Sequence, residues 1–134
     1  MAAQQSDADD LAPLSGAQLE IMNLVWARGE ATVTEIWKEL EVQRPIARTT
    51  VLTVMDRLEK KGWLKRRVEG QQHYYSPARS RARALGGLVE RLVDTAFAGS
   101  AEDLVMALLD GRGVTEEEAK RIRRLIDKAR RNRS

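Results

Sequence analysis

The chain has 134 residues, of which 43% are hydrophobic and none is cysteine, and its formal net charge is +3. This length fits one domain, or a small head with an appended oligomerisation segment, and the hydrophobic content can form a core without disulfides. The lack of cysteine excludes disulfides, thiolate metal ligands and a cysteine nucleophile, and it suits a reducing cytoplasm. We expect a cytoplasmic protein without membrane insertion, because the N-terminus has no apolar run and no segment approaches the roughly 20 apolar residues of a membrane span.

Charge is distributed unevenly along the chain. Residues 1–43 contain two basic and eight acidic side chains, a net charge of −6, whereas residues 44–67 contain eight basic and two acidic ones, a net charge of +6. Residues 68–134 contain thirteen basic and ten acidic side chains, a net charge of +3. A compact segment of charge +6 is suited to contact with nucleic-acid phosphates. The alternative is a basic face that is only solvated.

Residues 1–12 are polar and acidic and are predicted to form a disordered tail. Three helical patterns follow, because apolar residues recur at three- and four-residue spacing. Gly29 is predicted to end the first helix, and the third is predicted from about residue 47 to residue 61, ending at Gly62. The residues of the third helix that are predicted to face inward are Val51, Val54, Met55 and Leu58. The first two helices are predicted to begin at capping boxes, formed by Ser15 with Gln18 and by Thr32 with Glu35.

After Gly62 the pattern changes to that of a β-hairpin. Residues 63–68 and 72–75 favour strands and are joined across residues 69–71, and Pro77 is predicted to close the unit. The link between the second and third helices is short, which suits a helix-turn-helix. We therefore expect a mainly α fold with a small β-hairpin wing, in which residues 13–77 form a winged helix-turn-helix DNA-binding domain.

Residues 78–134 are predicted to form three more helices, the last of which opens with a capping box of Thr115 and Glu118. Each helix has an apolar stripe and is too short to form a core of its own. The economical partner for these stripes is a second copy of the chain, so we expect a homodimer with a C-terminal helical dimerisation segment. The residues predicted to lie in the dimer contact are Leu88, Leu92, Leu104, Leu108, Ile122 and Ile126.

The third helix carries the residues expected to read DNA sequence. At about 100° per residue, Arg48, Thr49, Leu52 and Thr53 lie opposite the inward residues and close to the start of the helix. Side chains of these types contact base edges in the major groove of double-stranded DNA, whereas the alternative is an ordinary polar helix face. Phosphate contacts are predicted for Arg44, Arg57, Lys60, Lys61, Lys65, Arg66 and Arg67.

The sequence contains no pattern typical of catalysis or cofactor binding. A Gly-rich phosphate loop, a nucleophile elbow and a zinc motif are all missing. His73 is the single histidine and is predicted to be a surface residue rather than a metal ligand or a base. One of Tyr74 and Tyr75 is predicted to pack under the hairpin, and Trp26, Trp37 and Trp63 are assigned to the core. We therefore expect no enzymatic activity, no metal and no cofactor.

Three stretches of the chain match a known family in order: LSGAQLEIMNLVWARGEATVTEIWKEL, ARTTVLTVMDRLEKKGWLKRRVEGQQHYYSP and VDTAFAGSAEDLVMALLDGRGVTEEEAKRIRRLIDK. Over about residues 14–128 the sequence resembles the penicillinase repressor family, of the BlaI/MecI type. The resemblance implies a homodimer that binds dyad-symmetric operators upstream of β-lactamase, penicillin-binding-protein or other stress genes. Carried over by position, it assigns base reading to Arg48, Thr49, Thr50 and Thr53, with Leu52 at a variable base-facing site.

The resemblance also implies how such a repressor is released from DNA. In the antibiotic-responsive branch of the family, a membrane sensor metalloprotease triggers cleavage in the fifth helix, at a bond that aligns with Ala107–Leu108. The well-known members have Asn-Phe at this position, so the chain departs from their pattern there. The copper-responsive branch uses C-terminal cysteines, which this chain lacks, and copper sensing is not expected.

Two other functions stay open at this stage. A ligand-sensing regulator would need an enclosed cavity lined by a few polar groups, which the sequence neither indicates nor excludes. A winged-helix scaffold that binds protein instead of DNA would have an acidic or neutral third helix and wing. The net charge of +6 over residues 44–67 favours DNA over that scaffold.

Overall fold

The computed structural model describes residues 13–133, so the predicted acidic tail over residues 1–12 lies outside the described part. The elements in chain order are α1 (Gly16–Arg28), α2 (Val33–Gln43), α3 (Arg48–Lys60), β1 (Leu64–Glu69), β2 (Gln72–Pro77), α4 (Arg81–Ala96), α5 (Ala101–Asp110) and α6 (Glu116–Arg133). The chain divides into two compact units, one ending at Val89 and the other beginning at Glu90. This division lies within α4, further along the chain than the domain boundary predicted between residues 77 and 78.

Side-chain hydrogen bonds cap the first turns of α1 and α2, as predicted. The Ser15 hydroxyl accepts a hydrogen bond from the Gln18 amide at 3.2 Å, and the Ser15 amide donates to the Gln18 side chain at 2.9 Å. Thr32 and Glu35 exchange the same two bonds at 3.2 and 2.8 Å. Gly29 ends α1 with a φ of 81°, a conformation that favours glycine. Both capping boxes are confirmed.

Only half of the third predicted capping box forms. The Thr115 hydroxyl accepts a hydrogen bond from the Glu118 amide at 3.1 Å. The Glu118 carboxylate lies instead 3.7 Å from the Arg112 guanidinium. The prediction of a reciprocal box at α6 was therefore wrong.

The predicted hairpin is present with a tighter turn and a longer second strand. β1 and β2 pair antiparallel from Leu64 with Pro77 to Glu69 with Gln72. The loop therefore has two residues rather than the predicted three, and Gly70 opens it with a φ of 61°. Glycine at the first position of a two-residue loop is typical of a type II′ turn, which matches the twist of the flanking strands. Pro77 is the last paired residue of β2, where a missing N–H costs little.

One residue of the connection between α1 and α2 pairs with β2 as an isolated β-bridge. Ala31 forms a β-bridge with Tyr75, and the two residues exchange backbone hydrogen bonds of 2.8 Å in both directions. The sequence did not predict this bridge, because one residue between a helix end and a helix start carries no strand pattern. It attaches the base of the hairpin to the connection between α1 and α2.

The core lies among α1, α2, α3 and the base of the hairpin. The largest fully buried side chains are Met22, Val25, Ile36, Leu40, Val51, Met55, Leu58 and Tyr75. Three of the four residues predicted to face inward on α3 are buried, and Val54 is half-buried. Tyr75 is the tyrosine that packs under the hairpin, as expected for one of the pair. The core therefore holds the outer face of α3 toward solvent.

The three tryptophans pack on or in this core. Trp63 is buried at the start of the hairpin. Trp26 and Trp37 are half-buried, and each indole N–H donates to a backbone carbonyl, that of Arg79 at 2.9 Å and that of Ile46 at 2.8 Å. A half-buried tryptophan satisfies its polar N–H in this way while its ring covers apolar surface.

The C-terminal helices carry little buried surface within the single chain. α4 begins at residue 81 rather than at about 78, and along α5 and α6 no side chain is buried. Of the residues predicted to lie in the dimer contact, Leu92, Leu108 and Ile126 are exposed. The remaining three, Leu88, Leu104 and Ile122, are half-buried. Within residues 13–133, no helix is both long and apolar enough to cross a bilayer.

Candidate nucleic-acid interface

The outer face of α3 presents the residues expected to read base edges. Arg48, Thr49, Thr50, Leu52 and Thr53 are all exposed, and Leu52 keeps 40% of its surface accessible. All five lie in the first two turns of the helix. Recognition helices contact bases from this part of the helix, and an exposed leucine beside hydroxyls and a guanidinium can meet a thymine methyl group.

Hydrogen bonds hold parts of this face in place. The Arg48 Nε–H donates to the Thr34 hydroxyl at 2.9 Å, which links the first residue of α3 to α2. The Thr53 hydroxyl donates to the Thr49 carbonyl of the preceding turn at 2.9 Å. Ala47 precedes the helix without a side-chain cap, so the first amides of α3 receive no hydroxyl or carboxylate there. The terminal guanidinium nitrogens of Arg48 remain available for a second partner.

A small surface concavity of about 160 Å³ joins the start of α3 to the tip of the hairpin. Arg48 and Leu52 line it from the helix side, and residues 71–73 line it from the hairpin side. Of the residues that line this concavity, the sequence predicted only Arg48 and Leu52 as site residues, and it assigned His73 to the surface. The signal that was missed is the hairpin register, because a two-residue turn places residues 71–73 at the tip.

The cations predicted to contact phosphate fall into two groups. Arg57, Lys61, Lys65 and Arg66 are exposed, and among the described residues none of their side chains forms an ion pair or a hydrogen bond. Three others are held by carboxylates: Arg44 by Glu20 at 2.6 Å, Lys60 by Asp56 at 3.0 Å, and Arg67 by Glu30 at 2.9 Å and by Glu69. The cations of the first group are free to bind phosphate. Those of the second group would first have to break their ion pair with a carboxylate.

In the Arg44–Glu20 and Arg67–Glu30 pairs the guanidinium donates to both carboxylate oxygens, and these hydrogen bonds shift the pKa values of the paired groups. Hydrogen bonds from the Arg44 guanidinium lower the pKa of the Glu20 carboxyl, and those from Arg67 lower the pKa of the Glu30 carboxyl. The pKa of Arg67 is raised in turn, first by its hydrogen bond to Glu30 and then by the one to Glu69. All these groups stay charged at neutral pH.

Other features of the described surface offer little to a metal or a small molecule. No group of three or more histidine, cysteine, aspartate or glutamate residues in the described chain is placed to hold a metal ion. A concavity of about 480 Å³ lies between α1 and residues 77–81, with the Trp26 indole in its wall. It is open to solvent, whereas a small-molecule site is an enclosed cleft or cavity.

Three helices, the third of which has an exposed polar face, and a basic hairpin define the class of protein: a winged-helix DNA-binding regulator. The sequence profile of the penicillinase repressor family matches residues 14–128. The transcriptional regulator BlaI of Mycobacterium tuberculosis is 30% identical over 113 residues, which are 83% of this chain and 82% of that protein.

Two further comparisons agree with this match. The methicillin resistance regulatory protein MecI of Mammaliicoccus sciuri is 23% identical over 115 residues, which are 86% of this chain and 94% of that protein. The solution structure of the DNA-binding domain of the repressor BlaI aligns with a TM-score of 0.50 and 30% identity, covering 55% of this chain and 90% of that domain. The chain belongs to the penicillinase repressor family.

Proposed function

We propose that the chain is a homodimeric, non-enzymatic transcriptional repressor that binds double-stranded operator DNA. In this proposal α3 lies in the major groove, and the β1–β2 hairpin contacts the backbone beside it. The observation that carries the proposal is the exposed start of α3, where Arg48, three threonines and Leu52 are all accessible to solvent. The unpaired cations of α3 and β1 supply the contacts to phosphate.

Selection from random DNA tests this function directly. The full chain is mixed with a pool of random duplexes, and the bound fragments are sequenced. We expect a dyad-symmetric consensus whose half-sites lie about one helical turn, or a multiple of it, apart. A matched variant with Arg48→Ala and Thr53→Ala should retain DNA without enriching this consensus. Recovery of random sequence by the unmodified chain would contradict the proposal.

Dimerisation through the C-terminal helices is the second part of the proposal. Leu92, Leu108 and Ile126 are exposed in the single chain, and an apolar surface of this kind is typical of an interface. A single winged helix offers only about 600–1,000 Å² to DNA, and tethering two of them makes the second contact intramolecular. The mass in solution, measured by light scattering over a range of concentrations, tests this part.

Release of the repressor by proteolysis is the third part of the proposal. The Ala107–Leu108 bond lies near the end of α5, and no side chain of that helix is buried. In a chain that has dissociated from its partner, local opening of such a helix exposes its backbone at small cost, which a protease requires. Mass spectrometry of the protein from cells treated with a β-lactam tests this part. Fragments ending at residue 107 support it, and loss of repression with an intact chain overturns it.

A further inference from the structure

Three adjacent cations, Lys65, Arg66 and Arg67, lie on β1, and the structure gives the third a different environment from the first two. The Arg67 guanidinium donates to both carboxylate oxygens of Glu30, at 3.2 Å from Nε and 2.9 Å from Nη2. It also pairs with Glu69 and lies 4.5 Å from the centroid of the Tyr74 ring. Two carboxylates and an aromatic ring thus already contact the guanidinium that would have to bind a phosphate.

The Glu30 end of this contact lies on the connection between α1 and α2. The next residue, Ala31, exchanges both backbone hydrogen bonds with Tyr75. Arg67 is the register partner of Tyr74, the neighbour of Tyr75 on β2. The hairpin is therefore attached to this connection at two neighbouring points, one through the backbone and one through side chains.

The angle of the hairpin controls the shape of the DNA-binding surface. The concavity of about 160 Å³ has Arg48 and Leu52 on one wall and residues 71–73 of the hairpin on the other. A change in that angle moves the two walls relative to each other and moves Lys65 and Arg66 with them. Contacts that are held in place before binding lose less entropy when the complex forms.

We infer that Arg67 is a positioning residue, whose pair with Glu30 holds the hairpin at the angle at which Lys65 and Arg66 meet the DNA backbone. This inference deepens the proposed function and rests on it. It reassigns a residue that the sequence placed among the phosphate contacts. Arg67 acts through the hairpin and does not touch the DNA.

The two roles for Arg67 give opposite expectations for its partner. If Arg67 bound phosphate, it would have to leave Glu30, and removal of that carboxylate would free the guanidinium and strengthen binding. If Arg67 positions the hairpin, removal of Glu30 loosens the hairpin and weakens binding, even though an acidic group has been lost. The variant Glu30→Ala therefore separates the roles by the sign of its effect.

The experiment compares full-length variants on mixed-sequence duplex DNA and on the duplex enriched by the unmodified chain. We expect Arg67→Ala and Glu30→Ala each to weaken binding to the enriched duplex by up to about fivefold, the upper end of what an exposed ion pair contributes. The slope of log K against log salt should stay unchanged in both. Glu41→Ala removes an exposed acid of α2 and serves as the matched control, with unchanged or slightly stronger binding. Lys65→Ala should instead reduce the slope by about one unit.

Two outcomes of this comparison overturn the inference. One is a reduced slope in Arg67→Ala together with tighter binding by Glu30→Ala than by the control, which makes Arg67 a phosphate contact. The other is unchanged binding in both variants, which makes the pair a solvated ion pair without a role.

A measurement without DNA separates failure of this inference from failure of the proposed function. Amide hydrogen exchange of Ala31 and Tyr75 in the full chain should be faster in Arg67→Ala and Glu30→Ala than in Lys65→Ala. The exchanged pair Glu30→Arg with Arg67→Glu, combined with Glu69→Gln so that the new carboxylate does not face a second one, should restore slow exchange. If exchange responds in this way but the unmodified chain binds no DNA, only the proposed function fails. Equal exchange in all variants overturns the positioning role, whatever the result with DNA.

Discussion

The Arg48 Nε–H donates a hydrogen bond to the Thr34 hydroxyl at 2.9 Å, and this bond joins the first residue of the recognition helix to α2. It uses one edge of the guanidinium and leaves the other directed away from that hydroxyl. A side chain held in this way loses less freedom when it meets a guanine than a freely rotating arginine does.

Arg48→Ala should therefore weaken binding to the selected duplex by roughly 1–3 kcal/mol, the value of a bidentate contact with a base. Thr34→Val should weaken it by a smaller amount, because the arginine remains and only its orientation is lost. Titration by fluorescence anisotropy at fixed salt measures both. Lys38→Ala, which removes an exposed cation of α2, is the matched control. Unchanged specific binding in Arg48→Ala would show that Arg48 does not read a base.

The unpaired cations of the hairpin should determine salt dependence and not base choice. Lys65→Ala and Arg66→Ala should each reduce the slope of log K against log salt by about one unit, and the double variant by about two. The consensus enriched from random duplexes should stay the same. A changed consensus with an unchanged slope would mean that these residues read bases.

The tryptophan hydrogen bonds should contribute to stability and, at one position, to binding. Trp37→Phe removes the bond to the Ile46 carbonyl, and Trp26→Phe removes the bond to the Arg79 carbonyl, so each should lower the free energy of unfolding by about 1 kcal/mol. Ile46 lies in the loop before α3, so only Trp37→Phe should also weaken DNA binding. Urea denaturation and anisotropy together check this, and equal effects of both variants on binding would contradict it.

Apolar residues of the C-terminal helices should control dimerisation. Leu108→Asp and Ile126→Asp should each raise the dissociation constant of the dimer roughly tenfold or more, because a carboxylate is costly to bury without a partner. Val42→Asp places the same charge on α2, where Val42 is 87% exposed, and should leave the dimer intact. Sedimentation equilibrium measures all three. A dimer that tolerates both C-terminal substitutions would place the interface elsewhere.

The Glu20–Arg44 pair should contribute stability that depends on pH. The hydrogen bond from Arg44 lowers the pKa of the Glu20 carboxyl below its ordinary value of 4.5 in the folded chain. A group whose pKa falls on folding stabilises the fold above its unfolded pKa, and this contribution is lost as pH falls through the folded pKa. The melting temperature should therefore decline below about pH 4.5, and this decline should be smaller in Glu20→Gln than in the unmodified chain. Carbon-13 titration should give Glu20 an ordinary pKa in Arg44→Gln, and an ordinary value already in the unmodified chain would refute the pairing.

Local sequence signals predicted most of the fold because each is read over a few residues. Ser15 with Gln18 and Thr32 with Glu35 are three residues apart, and a helix start needs nothing more distant. The hairpin turn was placed to within a residue, since Gly70 alone marks it. The Ala31 bridge was missed because it depends on a partner more than forty positions away, and no local pattern encodes that pairing.

The residues of the site were predicted from their types and positions, whereas the ion-pair partners of their side chains could not be predicted. Lys65 and Arg67 are equivalent in the sequence, because each adds one positive charge to the same face of the predicted strand. The structure separates them by Glu30, which approaches Arg67 from another part of the fold. Which cation is free is decided by tertiary neighbours, and a local sequence pattern does not encode these.

The lack of buried side chains along Ala101–Asp110 and Glu116–Arg133 has a consequence for gene dosage. In the proposed dimer this segment gains its stability from association with a second copy of the chain, so mass action would couple its folding to protomer concentration. At low expression the population of paired chains rises with the square of the monomer concentration, and operator occupancy rises equally steeply. In the proposed dimer, a modest fall in copy number would then empty the operator sharply, and the cell would obtain a threshold response from protein concentration alone.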